Sequence, residues 1–111
     1  MINPAGLKNE MDKEENPFHL IDARDSAMYQ EKHIPGAINV VQGDPVELDK
    51  ALSGDKDDVI VFYLDHEGQD AEVEAIGKRA EEAGFTKVHA LKGGLMAWME
   101  GGRALEFGTE S

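Results

Sequence analysis

The stretch that decides the fold runs from Asp57 to Gly84: "DDVIVFYLDHEGQDAEVEAIGKRAEEAG". Val59 to Leu64 is an unbroken apolar run without the alternation of a half-exposed strand, so it reads as a strand covered on both faces. A polar loop follows, made of Asp65, His66, Glu67, Gly68, Gln69 and Asp70. The spacing then turns helical, with Val73, Ile76, Ala80 and Ala83 on one stripe. Asp70 is the expected cap of that helix, and Gly84 its expected end. A buried strand passing through a short polar loop into a helix is the repeating unit of a parallel α/β sheet. The loop sits where such folds usually place a reacting or ligand-holding group.

Outward from this unit, strand-like and helix-like signals alternate. Asn3 and Pro4 predict a short helix with Leu7 and Met11 on one face. Phe18 to Ile21 reads as a strand, and "RDSAMYQEKH" as a short helix capped by Asp25 and stopped before Pro35. Ala37 to Val41 predicts a second strand. "GDPVELDKAL" predicts a helix capped by Asp44, with Pro45 in its first turn, Glu47 completing a capping box, and Val46, Leu48 and Leu52 making apolar contacts. After the opening stretch come a last strand, Lys87 to Leu91, and a short helix carrying Leu95, Trp98 and Met99. The tail beyond Gly101 is expected to be loosely held. His33 and Gly36 read as turn residues. Gly93 and Gly94 read as points where the last turn closely approaches the loop. Trp98 reads as core. His19 and His89 read as half-exposed strand residues. Met28, Met96 and Met99 are too scattered along the chain to read as one binding face.

The chain has 111 residues and fits one domain, 1–111, with its core at about 4–101 and a flexible C-terminal tail. Eleven basic residues stand against 23 acidic ones, a net charge of −12. Nucleic acid and anionic lipid both need phosphate neutralisation, so neither is an expected partner. No apolar run approaches the roughly 18 residues needed to span a bilayer, and the N-terminus has no leader pattern. The expected location is cytoplasmic. With no cysteine in the sequence, disulfides, thiolate metal sites and thiol nucleophiles are excluded.

Three segments fall in a recognisable order: "HLIDARDSAMYQEKHIPGAINV", "VIVFYL" and "AGFTKVHALKGGLMAW". Together they resemble the rhodanese-like domain family. The first carries a strand ending in Asp-x-Arg, at Asp22 and Arg24, then His-Ile-Pro-Gly-Ala. The resemblance implies an α/β fold with a central, mainly parallel five-stranded sheet and helices on both faces. It also implies that the loop after the central strand wraps its backbone N–H groups around an anion at a helix N-terminus.

Family members that transfer sulfur carry a Cys at the start of that loop, and this chain does not. Aligned on the strand end, the Cys position holds Leu64; aligned on the loop glycine, it holds Asp65. Neither side chain can carry a persulfide. The chain is therefore expected to have no catalytic residue, no metal and no cofactor. Leu64, Asp65, His66, Glu67, Gly68, Gln69 and Asp70 remain as binding candidates for a small anion or a protein partner. Alternatives are an enzyme of another kind using the Asp/His/Glu loop, or an accessory to a partner's Cys. The loop acids are equally able to fold back onto the loop's own N–H groups. Asp22 and Arg24 read as structural, the first bonding nearby N–H groups and the second pairing with an acid.

Overall fold

A computed structural model describes residues 2–12, 18–51, 57–66 and 68–107. In chain order the elements are α1 (Pro4–Asp12), β1 (Phe18–Asp22), α2 (Ser26–Glu31), β2 (Ile38–Asn39), a single 3-10 turn (Val41–Gly43), α3 (Pro45–Ala51), β3 (Val59–Tyr63), α4 (Asp70–Glu82), β4 (Lys87–Ala90) and α5 (Gly94–Glu100). The strands form one sheet in the order β2-β1-β3-β4, and every pairing is parallel. The fifth place is reduced to a single parallel bridge, Ile2 to Leu91, with Ile2 N–H donating to Ala90 O at 2.8 Å. Among the described residues, the expected five-stranded sheet has four strands and this single bridge.

The central strand earns its place through its side chains. Ile60 and Phe62 face one way and pack with Leu48 of α3 and Val73, Ile76 and Ala80 of α4. Val61 and Tyr63 face the other way and pack with Leu7 of α1 and Leu95 and Trp98 of α5. All four strand residues are fully buried, and burying each apolar side chain contributes about 1.5–3 kcal/mol. Helices therefore cover both faces, as an apolar strand without alternation requires. The register sets Asp22 beside Tyr63, so β1 and β3 end level at the carboxyl edge where the loop begins.

The helix starts follow the sequence. Asn3 Oδ1 accepts from Gly6 N at 2.7 Å, Asp25 Oδ1 from Met28 N at 2.9 Å, and Asp44 Oδ1 from Val46 N at 2.9 Å. Three expectations give way. β2 shrinks to two residues, because Val41 enters the 3-10 turn and Gln42 takes a left-handed conformation (φ 56°). Val46 is 62% exposed rather than packed. The tail is also tied back as far as Glu106. Trp98 Nε1 donates to Ala104 O at 2.8 Å, and His33 and Glu106 exchange backbone bonds of 2.9 and 2.8 Å. Leu52 and Glu67, and the side chains of Met11 and Asp70, lie outside the described residues.

Candidate functional site

The floor of the site is a buried polar cluster. Asp22 ends β1 with no exposed surface, and Arg24, two residues on, is 5% exposed. Arg24 Nη2 meets Asp22 Oδ2 at 2.6 Å, and Arg24 Nε reaches both carboxylate oxygens at 3.0 and 3.1 Å. Arg24 N donates to Asp22 Oδ1 at 2.9 Å, which is the expected bond to a nearby backbone N–H. Tyr63 Oη donates to Asp22 Oδ2 at 2.7 Å and accepts from Ile34 N at 3.1 Å. Buried charges persist only when paired and hydrogen-bonded in this way. Burial works against the Arg24 charge, but the bonds and charge of Asp22 outweigh it and hold the guanidinium more firmly protonated than usual. Burial and the facing Asp22 carboxylate push the Tyr63 phenol well above the ordinary tyrosine range.

Above this floor lies the loop. Gln69 takes the N-cap position of α4, and Asp70 is the first helical residue rather than the cap. The Gln69 side chain turns away from the helix. Its Oε1 accepts from Asp65 N at 2.9 Å and His66 N at 3.2 Å. An amide oxygen thus occupies N–H groups that would otherwise point at an anion. The Asp65 carboxylate does not fold onto the loop but reaches Arg24 Nη1 at 3.1 Å. The last helix packs against the loop: Leu95 N donates to Leu64 O at 2.9 Å and Met96 N to Asp65 O at 2.7 Å. Gly94 permits this approach. At φ 63° it lies in the left-handed region, and a Cβ there would fall 2.6 Å from Leu64 O.

Beside the loop a pocket of about 290 Å³ opens between α2, α5 and the strand ends. Met28, Leu95, Met96 and Met99 supply its apolar wall, with Asp65 and His66 at one side. Sequence spacing misses this grouping. Met96 and Met99 are three apart on one helix, but Met28 lies far away in the chain and arrives through the α2 connection. The expectation that these methionines share no face is therefore overturned.

A family model for the rhodanese-like domain matches residues 3–101. The chain belongs to the rhodanese-like domain family. The curated "Putative sulfurtransferase YtwF" of Bacillus subtilis is 31% identical over 97 residues, covering 87% of each chain. Thiosulfate sulfurtransferase GlpE of Pseudomonas savastanoi is 28% identical over 79 residues, covering 71% of this chain and 70% of that one. Among solved structures, the Alr3790 protein from Anabaena matches with a TM-score of 0.83 and 30% identity, over 97% of this chain and 93% of that one.

Within this rhodanese-like domain the candidate residues separate. Leu64 is nearly buried and belongs to the core with Ile21, Phe62 and Val73. Asp65 and His66 stand at the pocket, His66 exposed. Gly68 supplies a positive φ of 98° in the turn, and Gln69 is spent on the loop itself. Among the described residues, no group of three or more His, Asp or Glu side chains converges as a metal site. His33 behaves as a turn residue: its Nδ1 donates to Tyr29 O at 2.9 Å, and its ring stacks on Tyr29 at 3.9 Å. No helix among the described residues is long and apolar enough to cross a membrane. With no thiol anywhere in the chain, the family's persulfide has no atom to form on.

Proposed function

We propose that this domain is a non-catalytic binding module, working through the pocket beside the former active-site loop rather than through the loop's N–H groups. One observation carries this reading: two of the loop's N–H groups and one arm of Arg24 are already occupied from within. Gln69 Oε1 takes the N–H groups of Asp65 and His66, and Asp65 takes Arg24 Nη1. An incoming anion would have to displace an amide oxygen and a carboxylate that are covalently part of the chain, and would enter a surface of net charge −12. The neighbouring pocket has apolar walls and remains open, the usual character of a binding site. Methionine lining adds adaptability, since the thioether side chain repacks readily around different shapes.

The test uses Met96→Glu, which places a charge at the pocket from an exposed position. Partners or ligands captured on the immobilised wild-type chain should be lost with the variant while the unfolding midpoint is kept. Capture that is indifferent to this substitution contradicts the pocket as the working surface.

A further inference from the structure

We propose that the methionine pocket is a binding site for a soft monovalent metal ion, Cu(I) or its analogue Ag(I). The inference rests on the reading that the pocket is the working site, and it names the class of ligand the pocket takes. It departs from the sequence-based expectation of no metal, which considered only the oxygen and nitrogen donors of the loop.

The chain has five methionines and no cysteine, so thioether is its only sulfur. The three methionines whose side chains are described, Met28, Met96 and Met99, all line this one pocket. Met96 and Met99 stand three apart on α5 and share a face, and Met28 of α2 lines the same pocket. Thioethers are soft, uncharged donors that select Cu(I) over Zn(II), Mg(II) or Ca(II). Their long, unbranched stems adapt readily to an irregular site. The charged lining groups balance: Arg24 is matched by Asp22 and Asp65, Glu31 and Lys32 carry opposite signs, and the His66 imidazole also lines the pocket. Binding is coordination alone. No bond in the chain breaks, no electron is transferred, and no proton is released, because a thioether carries none.

That last point gives the site a signature. Sites built on His or Cys lose affinity in acid because protons compete for the donor atoms. Thioethers are free of that competition, so once His66→Ala removes the one imidazole of the lining, affinity should hold between about pH 7.5 and about pH 5.

The experiment titrates the full chain with Ag(I) in chloride-free buffer, and with Cu(I) under anaerobic conditions against a chromophoric competitor. Methionine methyl groups are isotopically labelled and followed by NMR. One equivalent should shift the signals of Met28, Met96 and Met99 and leave those of Met1 and Met11 in place. Affinity of the His66→Ala chain should hold across the acid range, and Met96→Leu in the otherwise unaltered chain should weaken binding by about tenfold or more. Met96 is 54% exposed, so this variant should keep the wild-type fold. No saturation, equal shifts at all five methionines, affinity of the His66→Ala chain lost on acidification, or affinity unchanged in Met96→Leu each overturns the proposal. If metal binding fails while ligand capture still responds to Met96→Glu, the pocket reading survives and only the metal falls. If capture is indifferent as well, both fall.

Discussion

Gln69 and Asp65 are the residues on which this account turns. Together they satisfy from within two loop N–H groups and one arm of Arg24. Replacing both, as Gln69→Ala with Asp65→Ala, should free two backbone N–H groups and one guanidinium arm. The double variant should then bind thiosulfate or sulfate on the order of millimolar, read as shifts of the loop amides. The wild type should stay unmoved, and a double variant equally silent would contradict the role given to these side chains. Beneath them, Arg24→Met strands the buried Asp22 carboxylate and should cost about 3–5 kcal/mol in urea unfolding, with Asp22→Asn recovering part of the loss. Tyr63 adds a pH signature. Its folded pKa is raised above the unfolded value of 10.0, so the stability it contributes is complete below about pH 10 and is lost as pH rises further. Alkaline unfolding should steepen there by up to about 1.4 kcal/mol per pH unit, and Tyr63→Phe should flatten it. Tyr29, also raised, should leave a smaller residual slope. The bond of Asp22 to a nearby backbone N–H and the pairing of Arg24 with an acid were legible in the sequence. The second grip of Arg24, on Asp65, was not, because the two residues are 41 positions apart.

At the scale of elements, periodicity predicted what local chemistry controls. β3 lacks alternation and is covered on both faces; α4 carries its stripe at Val73, Ile76 and Ala80; the caps at Asn3, Asp25 and Asp44 form as their side chains dictate. Tertiary choices overrode the rest. Val46 fits a helix face but meets solvent, and the N-cap of α4 moves back one residue to Gln69. The seam between α5 and the loop was signalled by the paired glycines Gly93 and Gly94. Gly94→Ala would drive a Cβ into Leu64 O and hold a left-handed φ, so it should destabilise by about 1–3 kcal/mol and displace the loop amides. Gly36→Ala, where φ is also positive but the space is open, should cost less. Equal unfolding midpoints for the two variants would show that the close approach at Gly94 does not matter.

Over the whole molecule, a rhodanese-like scaffold stands without a cysteine. The sheet order, the carboxyl-edge loop and the closing helix are all present, and the family model matches residues 3–101. The missing thiol was plain from the sequence. The methionine-lined pocket was not, because the fold alone brings Met28 beside Met96 and Met99. The most direct test is the intact mass of the purified chain after incubation with thiosulfate, followed by a cyanide chase assayed for thiocyanate. The mass should remain that of the bare polypeptide, with thiocyanate no higher than in a protein-free blank. A species heavier by one or two sulfur atoms that returns to the bare mass as thiocyanate forms would contradict the account.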